Sequence, residues 1–273
     1  MRLLLTQLDA DPEVGLDNLD HVERLLPDGV SDDDVLLLPE LIGGETESSV
    51  YEDRMRLFAA TIGCHVVGGS HHSPAGDELT NAGLIVGPDG DVVDRYGKHR
   101  PYGSEHGTVA PDWQTGPGRL HIAGREVLVV VCADFWFSEL LHELAVEPDV
   151  LLVPAFSISQ KPTPDHARSL WSHMTASRAY EFSTFVGVSD WAHPTQWNGL
   201  ASSGVAGFAD PNPTLERHHF LPAASAGITV VELDFDRLDD LRANRTERGF
   251  ESRRREPRGR ARTHDRPLTQ GAP

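Results

Sequence analysis

Val127-Leu128-Val129-Val130-Val131-Cys132-Ala133-Asp134-Phe135-Trp136-Phe137 decides how this chain reads. Five apolar, mostly β-branched residues form a strand buried on both faces. The run ends in a cysteine, and a helix is expected to start near Phe137. A thiol at such a strand-to-helix turn is held at the sheet edge, beside backbone N–H groups that can bind an oxyanion. An isolated cysteine in an apolar strand is ordinarily a small core residue. Cys64, the only other cysteine, reads that way, because no carboxylate or lysine motif surrounds it. Two cysteines give no disulfide framework, and both read as free thiols.

Two further stretches end in chemically useful residues. Leu36-Leu37-Leu38-Pro39-Glu40 places a carboxylate just past a buried strand. Such a group is costly to bury unless paired, and partial burial raises its pKa towards that of a general base. Lys98 follows the strand Val92–Tyr96. It is one of two lysines, with Lys161, in a chain of 42 acidic residues. A lysine kept in such a background marks a task for a compact, pKa-tunable ammonium that arginine cannot perform. Paired with Lys98, Glu40 stays ionised and the ammonium stands near a forming oxyanion. Glu40, Lys98 and Cys132 occupy equivalent places, at strand ends or in the loops just beyond them.

Around these points, apolar strands alternate with helical periodicity. Strands are expected at 2–8, 35–38, 65–70, 149–153, 184–189, 201–208 and 226–234. Helices are expected from Asp11-Pro12 to about Leu26, and over 49–62, 137–146, 165–182 and 236–243. Gly87-Pro88-Asp89-Gly90 turns a hairpin between Asn81–Val86 and Val92–Tyr96, and Ala123-Gly124 turns a second whose return strand is 126–131. Residues 97–118 read as loop. Hairpins among alternating helices and strands imply an α/β fold of mixed sheets with helices on the outer faces. Residues 1–250 read as one domain. Residues 251–273, rich in Arg, Pro and Gly, read as an extended or disordered tail.

The formal net charge is −18, although residues 245–273 hold nine arginines against four acids. An acidic body repels nucleic acid and anionic membranes. Scarce lysine with abundant acid suggests adaptation to a high-salt interior, where ions screen self-repulsion over about 3 Å at 1 M. The first residues turn polar too soon for a signal peptide, and no apolar stretch reaches the ~20 residues of a membrane span. The expectation is a cytoplasmic protein acting on a small molecule, with no nucleic acid or membrane partner.

Leu38-Pro39-Glu40, Tyr96-Gly97-Lys98-His99 and Val131-Cys132-Ala133-Asp134-Phe135-Trp136-Phe137-Ser138-Glu139 resemble the Glu, Lys and Cys motifs of the nitrilase, or carbon–nitrogen hydrolase, superfamily. Gln7, Asn18-Leu19, the 87–90 turn, Asp149–Ala155, Arg178-Ala179-Tyr180-Glu181 and Arg253-Arg254-Arg255 extend the resemblance over about residues 3–255. It implies a four-layer α-β-β-α sandwich, usually paired into a homodimer through one helical layer. It implies Glu40 as general base, Cys132 as nucleophile, and Lys98 with the Ala133 N–H as oxyanion ligands. The second glutamate of the family maps to Glu105. Asp134, Phe135, Trp136 and Phe156 are expected to shape the substrate pocket, and no cofactor is implied.

Nitrilases proper usually carry Cys-Trp-Glu, so Cys132-Ala133-Asp134 looks more like the amidase and carbamoylase branches. Ala133, Trp136 and Ser138 stand where many amidase relatives have Tyr, Arg and Pro. Phe156 comes one position earlier than their usual aromatic. The resemblance thus implies a thiol hydrolase of a small amide working through a thioester, with an N-carbamoyl compound or a nitrile as alternative substrates.

Other functions fit less well. The pairs His71-His72 and His218-His219 point opposite ways on a strand, and no His-Glu-x-x-His or Cys-x-x-Cys pattern occurs. No metal ligand set is assigned. No glycine-rich phosphate loop is present. A non-catalytic scaffold member of the fold is the alternative of another class, and it has no use for Glu40, Lys98 and Cys132 together.

Overall fold

In the computed structural model, the described residues are 1–250 except 77, 144–146 and 215–217. The tail expected at 251–273 lies outside them. Two sheets are built around the first strand. The first sheet contains β1 (Arg2–Leu8), β2 (Val35–Leu37), β3 (His65–Val67), β4 (His71–Ala75), β5 (Glu78–Val86), β6 (Val92–Gly97) and β7 (Val109–Ala110). The second contains β8 (Gly118–Ile122), β9 (Arg125–Val129), β10 (Val150–Pro154) and β11 (Phe185–Trp191). A small hairpin, β12 (Gln196–Trp197) with β13 (Leu200–Ala201), stands apart. β14 (Gly207–Ala209) and β15 (Phe220–Pro222) extend the second sheet beyond β11, and β16 (Gly227–Glu232) pairs antiparallel with β1.

The two sheets meet where Gln7 and Leu8 pair with Asp190 and Trp191. Buried hydroxyls secure that junction. Thr6 and Ser189 both donate to the Leu37 carbonyl, at 2.8 and 2.9 Å, and Thr6 N–H donates to Ser189 Oγ at 2.9 Å.

Strand alternation divides the core. Leu3, Leu5, Val35 and Leu37 face the second sheet, among Val127, Val129, Leu151 and Val153. Leu4, Leu8, Leu36 and Leu38 face outward onto α1 (Asn18–Leu25) and α2 (Ser48–Ile62), against Leu19, Val22, Tyr51, Met55 and Phe58. After the single turn α3 (Glu139–His142), the far side of the second sheet is covered by α4 (Asp165–Phe182) and α5 (Phe235–Glu247), through residues such as Trp171, Ala179 and Leu238. The order is helix, sheet, sheet, helix, the four-layer sandwich expected. Each fully buried Leu or Val contributes about 1.5–3 kcal/mol to holding the layers together. Among the described residues no helix is long and apolar enough to cross a membrane.

Several boundaries differ from expectation for identifiable reasons. The helix expected over 137–146 is only Glu139–His142 among the described residues, because a 3₁₀ turn takes up Cys132–Trp136 first. The first helix opens as expected, with the Asp11 side chain capping Glu13 N–H. A 3₁₀ segment then runs to Asp17, and Gly15 inside it has φ +58°. The strand expected at 65–70 stops at Val67, and His71–Ala75 forms an edge strand of its own, which tolerates Pro74. The strand expected at 201–208 breaks between Ala201 and Gly207. There the backbone N–H groups of Ser203, Val205 and Ala206 bond instead to the Ser157 carbonyl, Asp190 Oδ2 and Gln7 Oε1. The loop expected at 97–118 also holds a 3₁₀ turn, Gly103–Glu105, and β7.

Candidate active site

β1, β2, β9, β10 and β11 run parallel. β3 runs parallel to β2, and β6 shares that direction because each is antiparallel to β5. Their carboxyl ends therefore open on one side of the molecule, where ligands bind in sheets of this kind. Glu40 follows β2, Lys98 follows β6, Cys132 follows β9, and Phe156 follows β10.

Local backbone holds each group in place. Gly69 (φ +67°) packs against Pro39 so closely that a Cβ would sit 2.1 Å from its carbonyl oxygen. The Glu40 carbonyl accepts from Trp191 Nε1 at 2.8 Å. A Cβ on Gly97, just before Lys98, would lie 2.2 Å from the Asp112 carboxylate. Cys132 has φ +44°, a left-handed conformation that costs a non-glycine residue of order 1–3 kcal/mol and recurs at functional turns. The Ala133 N–H sits in the first turn of the 3₁₀ segment that starts at Cys132, where helical N–H groups have no intrahelical acceptor.

The side chains converge in a buried network. Lys98 Nζ donates to Glu40 Oε1 at 2.6 Å and to Glu105 Oε2 at 2.5 Å. Asn81 Nδ2 bridges the same two carboxylates, at 2.9 Å from Glu40 Oε1 and 2.7 Å from Glu105 Oε1. His72 Nε2 donates to Glu105 Oε1 at 3.1 Å, and Tyr102 N–H donates to Glu105 Oε2 at 3.0 Å. The second Glu40 oxygen accepts Phe156 N–H at 2.9 Å, while Cys132 Sγ donates to the Phe156 carbonyl at 3.9 Å. Glu40, Lys98 and Cys132 are 2%, 3% and 5% exposed, so all three interact at low dielectric.

Burial pushes the Glu40 pKa up, and the neighbouring Lys98 charge offsets this only in part. Burial would also raise Glu105, yet the Lys98 charge and the His72 and Lys98 hydrogen bonds hold it down at about 2. Burial alone would lower the Lys98 pKa, but Glu40 and Glu105 raise it, so the ammonium persists. Burial, and then the Glu40 charge, push the Cys132 thiol well up despite Lys98. The resting site is thus a neutral thiol that lines one cavity with Glu40, beside an ammonium shared by two carboxyl groups.

Of the positions expected to shape the pocket, Phe156 lines the cavity in front of Cys132. Asp134, Phe135 and Trp136 lie elsewhere. Asp134 accepts His99 N–H at 2.9 Å and Arg100 N–H at 2.8 Å, tying the Lys98 loop to the thiol turn. Phe135 is fully buried and stacks on Trp171 at 6.0 Å, and Trp136 is half-exposed and meets Trp171 edge-on. The structure adds Asn81, His72, Tyr102, Trp197 and Leu200, none of which the sequence singled out for the site. Only the tendency of a buried amide to find charged partners marks Asn81. His72 belongs to a pair considered for metal binding, but its partner His71 stacks on Tyr51 at 4.0 Å and bonds the Ala82 carbonyl. Among the described residues, no group of three or more His, Cys, Asp or Glu is arranged to hold a metal ion.

A carbon–nitrogen hydrolase family model matches residues 31–243. The chain belongs to that family. No curated protein matches it closely enough to report. The solved amidase from Nesterenkonia sp. AN1 is 25% identical, covers 91% of this chain and 99% of its own, and superposes with a TM-score of 0.68. That amidase has been solved after Michael addition of acrylamide at its active-site cysteine. Nit3 of Saccharomyces cerevisiae, a nitrilase-superfamily member, is 19% identical over 89% of this chain and 93% of its own, with a TM-score of 0.73, and shares the fold. This chain is an amidase-like carbon–nitrogen hydrolase.

Proposed function

We propose that the hydrolase cleaves a small primary amide through a thioester on Cys132, releasing ammonia. The observation that carries this reading is the buried set of thiol, carboxyl and ammonium groups facing one small cavity. Glu40 takes the proton of the Cys132 thiol, and the thiolate attacks the amide carbonyl carbon. The carbonyl π pair moves onto oxygen, where Lys98 and the Ala133 N–H stabilise it. On collapse, the protonated Glu40 gives its proton to the departing nitrogen, which leaves as ammonia. A water then attacks the thioester, Glu40 takes its proton, and the carboxylic acid leaves as the thiol is restored. Glu105, held ionised by Lys98 and His72, keeps the ammonium in place. Using sulfur as nucleophile splits one difficult hydrolysis into two easier steps. The acrylamide adduct of the Nesterenkonia amidase, an amide held at the corresponding kind of thiol, supports the reading.

The test is ammonia release from simple amides, ω-amides, N-carbamoyl amino acids and nitriles in molar KCl, with Cys132→Ala alongside. Release from simple amides that vanishes in the variant is expected. Turnover confined to carbamoyl compounds or nitriles, or equal turnover by the variant, would refute it.

A further inference from the structure

The walls of the active-site cavity carry more information than its catalytic groups. Apart from those groups it is lined chiefly by Leu41, Phe156, Ile158, Trp197 and Leu200, with Tyr102 and Ser104 at the side. Its volume is about 30 Å³. Pockets for drug-sized ligands run to roughly 300–1,000 Å³, so this one suits a much smaller molecule. Among the described residues Lys98 is the only cation lining it, and that charge is already shared by Glu40 and Glu105. A carboxylate on the substrate would meet two carboxyl groups and no free cation.

Trp197 and Leu200 come from one device. They are directly paired across the β12–β13 hairpin, whose two-residue turn is Asn198-Gly199. Both turn residues have positive φ, 48° and 75°, and Asn-Gly is the pair best suited to such a tight turn. The pairing puts both side chains on one face of the hairpin. Trp197 is buried, meets His72 edge-on at 6.5 Å, and packs into the outer core with Leu41 and Phe156. Its indole is thus held from behind and cannot readily yield to a longer substrate.

In a primary amide the acyl chain is the only variable group, so the wall that meets it sets specificity. Resting on the amidase reading above, we propose that Trp197 and Leu200 limit the enzyme to short, uncharged aliphatic amides. A hydrophobic pocket discriminates about 10–200-fold per methylene.

The test compares kcat/KM for acetamide, propionamide, butyramide, hexanamide and the charged ω-amide succinamate, in wild type, Trp197→Ala and Leu200→Ala. A parallel experiment measures labelling of Cys132 by 2-chloroacetamide and 2-bromohexanamide by intact mass, which needs no turnover. In wild type, propionamide should exceed hexanamide by at least 100-fold, and succinamate should be hydrolysed poorly. At least one variant should narrow the propionamide-to-hexanamide ratio tenfold or more, and should narrow the labelling ratio in parallel. Unchanged ratios in both folded variants, or succinamate turned over as well as propionamide, would overturn the proposal. If wild type hydrolyses no amide, the amidase reading falls, and the labelling ratio alone still decides whether Trp197 and Leu200 set the length limit.

Discussion

Replacing Lys98 by glutamine should destabilise the protein most at neutral pH and much less in acid. In the wild type one ammonium serves two buried carboxyl groups, at 2.6 and 2.5 Å. Removing one member of a buried ion pair typically costs 3–5 kcal/mol, because the remaining charge is left without a partner. The Glu105 pKa leads to a similar figure. Its drop from an ordinary 4.5 to about 2 corresponds to roughly 3 kcal/mol. Because that pKa is depressed, its stabilisation is present above pH 4.5 and is lost as pH falls towards 2.

In Lys98→Gln the cause of the depression is gone. Glu40 and Glu105 then face each other in a buried site, and both pKa values rise. At pH 7 the variant should be about 3–5 kcal/mol less stable than wild type. As pH falls to 4.5 the variant's carboxyls take up protons and no longer need a cation, so the gap should shrink. Urea unfolding followed by tryptophan fluorescence at both pH values measures it. Ammonia release should also fall about 10²–10³-fold, the usual effect of removing an oxyanion ligand. A stability gap of the same size at pH 7 and pH 4.5 would refute the reasoning, since it would mean that Lys98 does not compensate buried carboxylate charge.

Three other outcomes are expected. Iodoacetamide should label Cys132, which lines a cavity beside the base Glu40, far faster than Cys64, which is fully buried in the core, and Glu40→Gln should slow the Cys132 reaction; peptide mass mapping reads both. Ser157→Ala removes the hydroxyl that donates to buried Asp190 at 2.5 Å, next to the Phe156 peptide that contacts Glu40; thermal melts should show a loss of about 1.5–3 kcal/mol. With a net charge of −18, the melting temperature should climb as KCl rises from 0.1 to 2 M, because salt screens surface repulsion; a flat response would argue against salt adaptation.

Much of this was legible because it is local. Strand alternation in Leu3–Leu5 and Val35–Leu38 carries both core faces. The turn at 87–90, the Asp11 cap and the α4 helix at 165–182 all follow from neighbouring residues. The breaks that were misread come from distant partners. Ser203, Val205 and Ala206 look like strand residues until Ser157, Asp190 and Gln7 claim their backbone groups. Trp136 is only four positions beyond the thiol, yet it packs onto Trp171 and not into the cavity, while Trp197, 65 positions beyond Cys132, comes to line it.

By itself, the sequence determined which strand ends carry a carboxylate, an ammonium and a thiol, and that both faces of the strands are buried, since residue type and a period of two are properties of adjacent positions. Only the tertiary structure decided that those ends open side by side. It also decided that Asn81 and His72 complete the charge network, and that Trp197 and Leu200 line the cavity. The physical reason is that each of these depends on distances of a few ångströms between segments far apart in the chain, and such distances exist only after both sheets have packed.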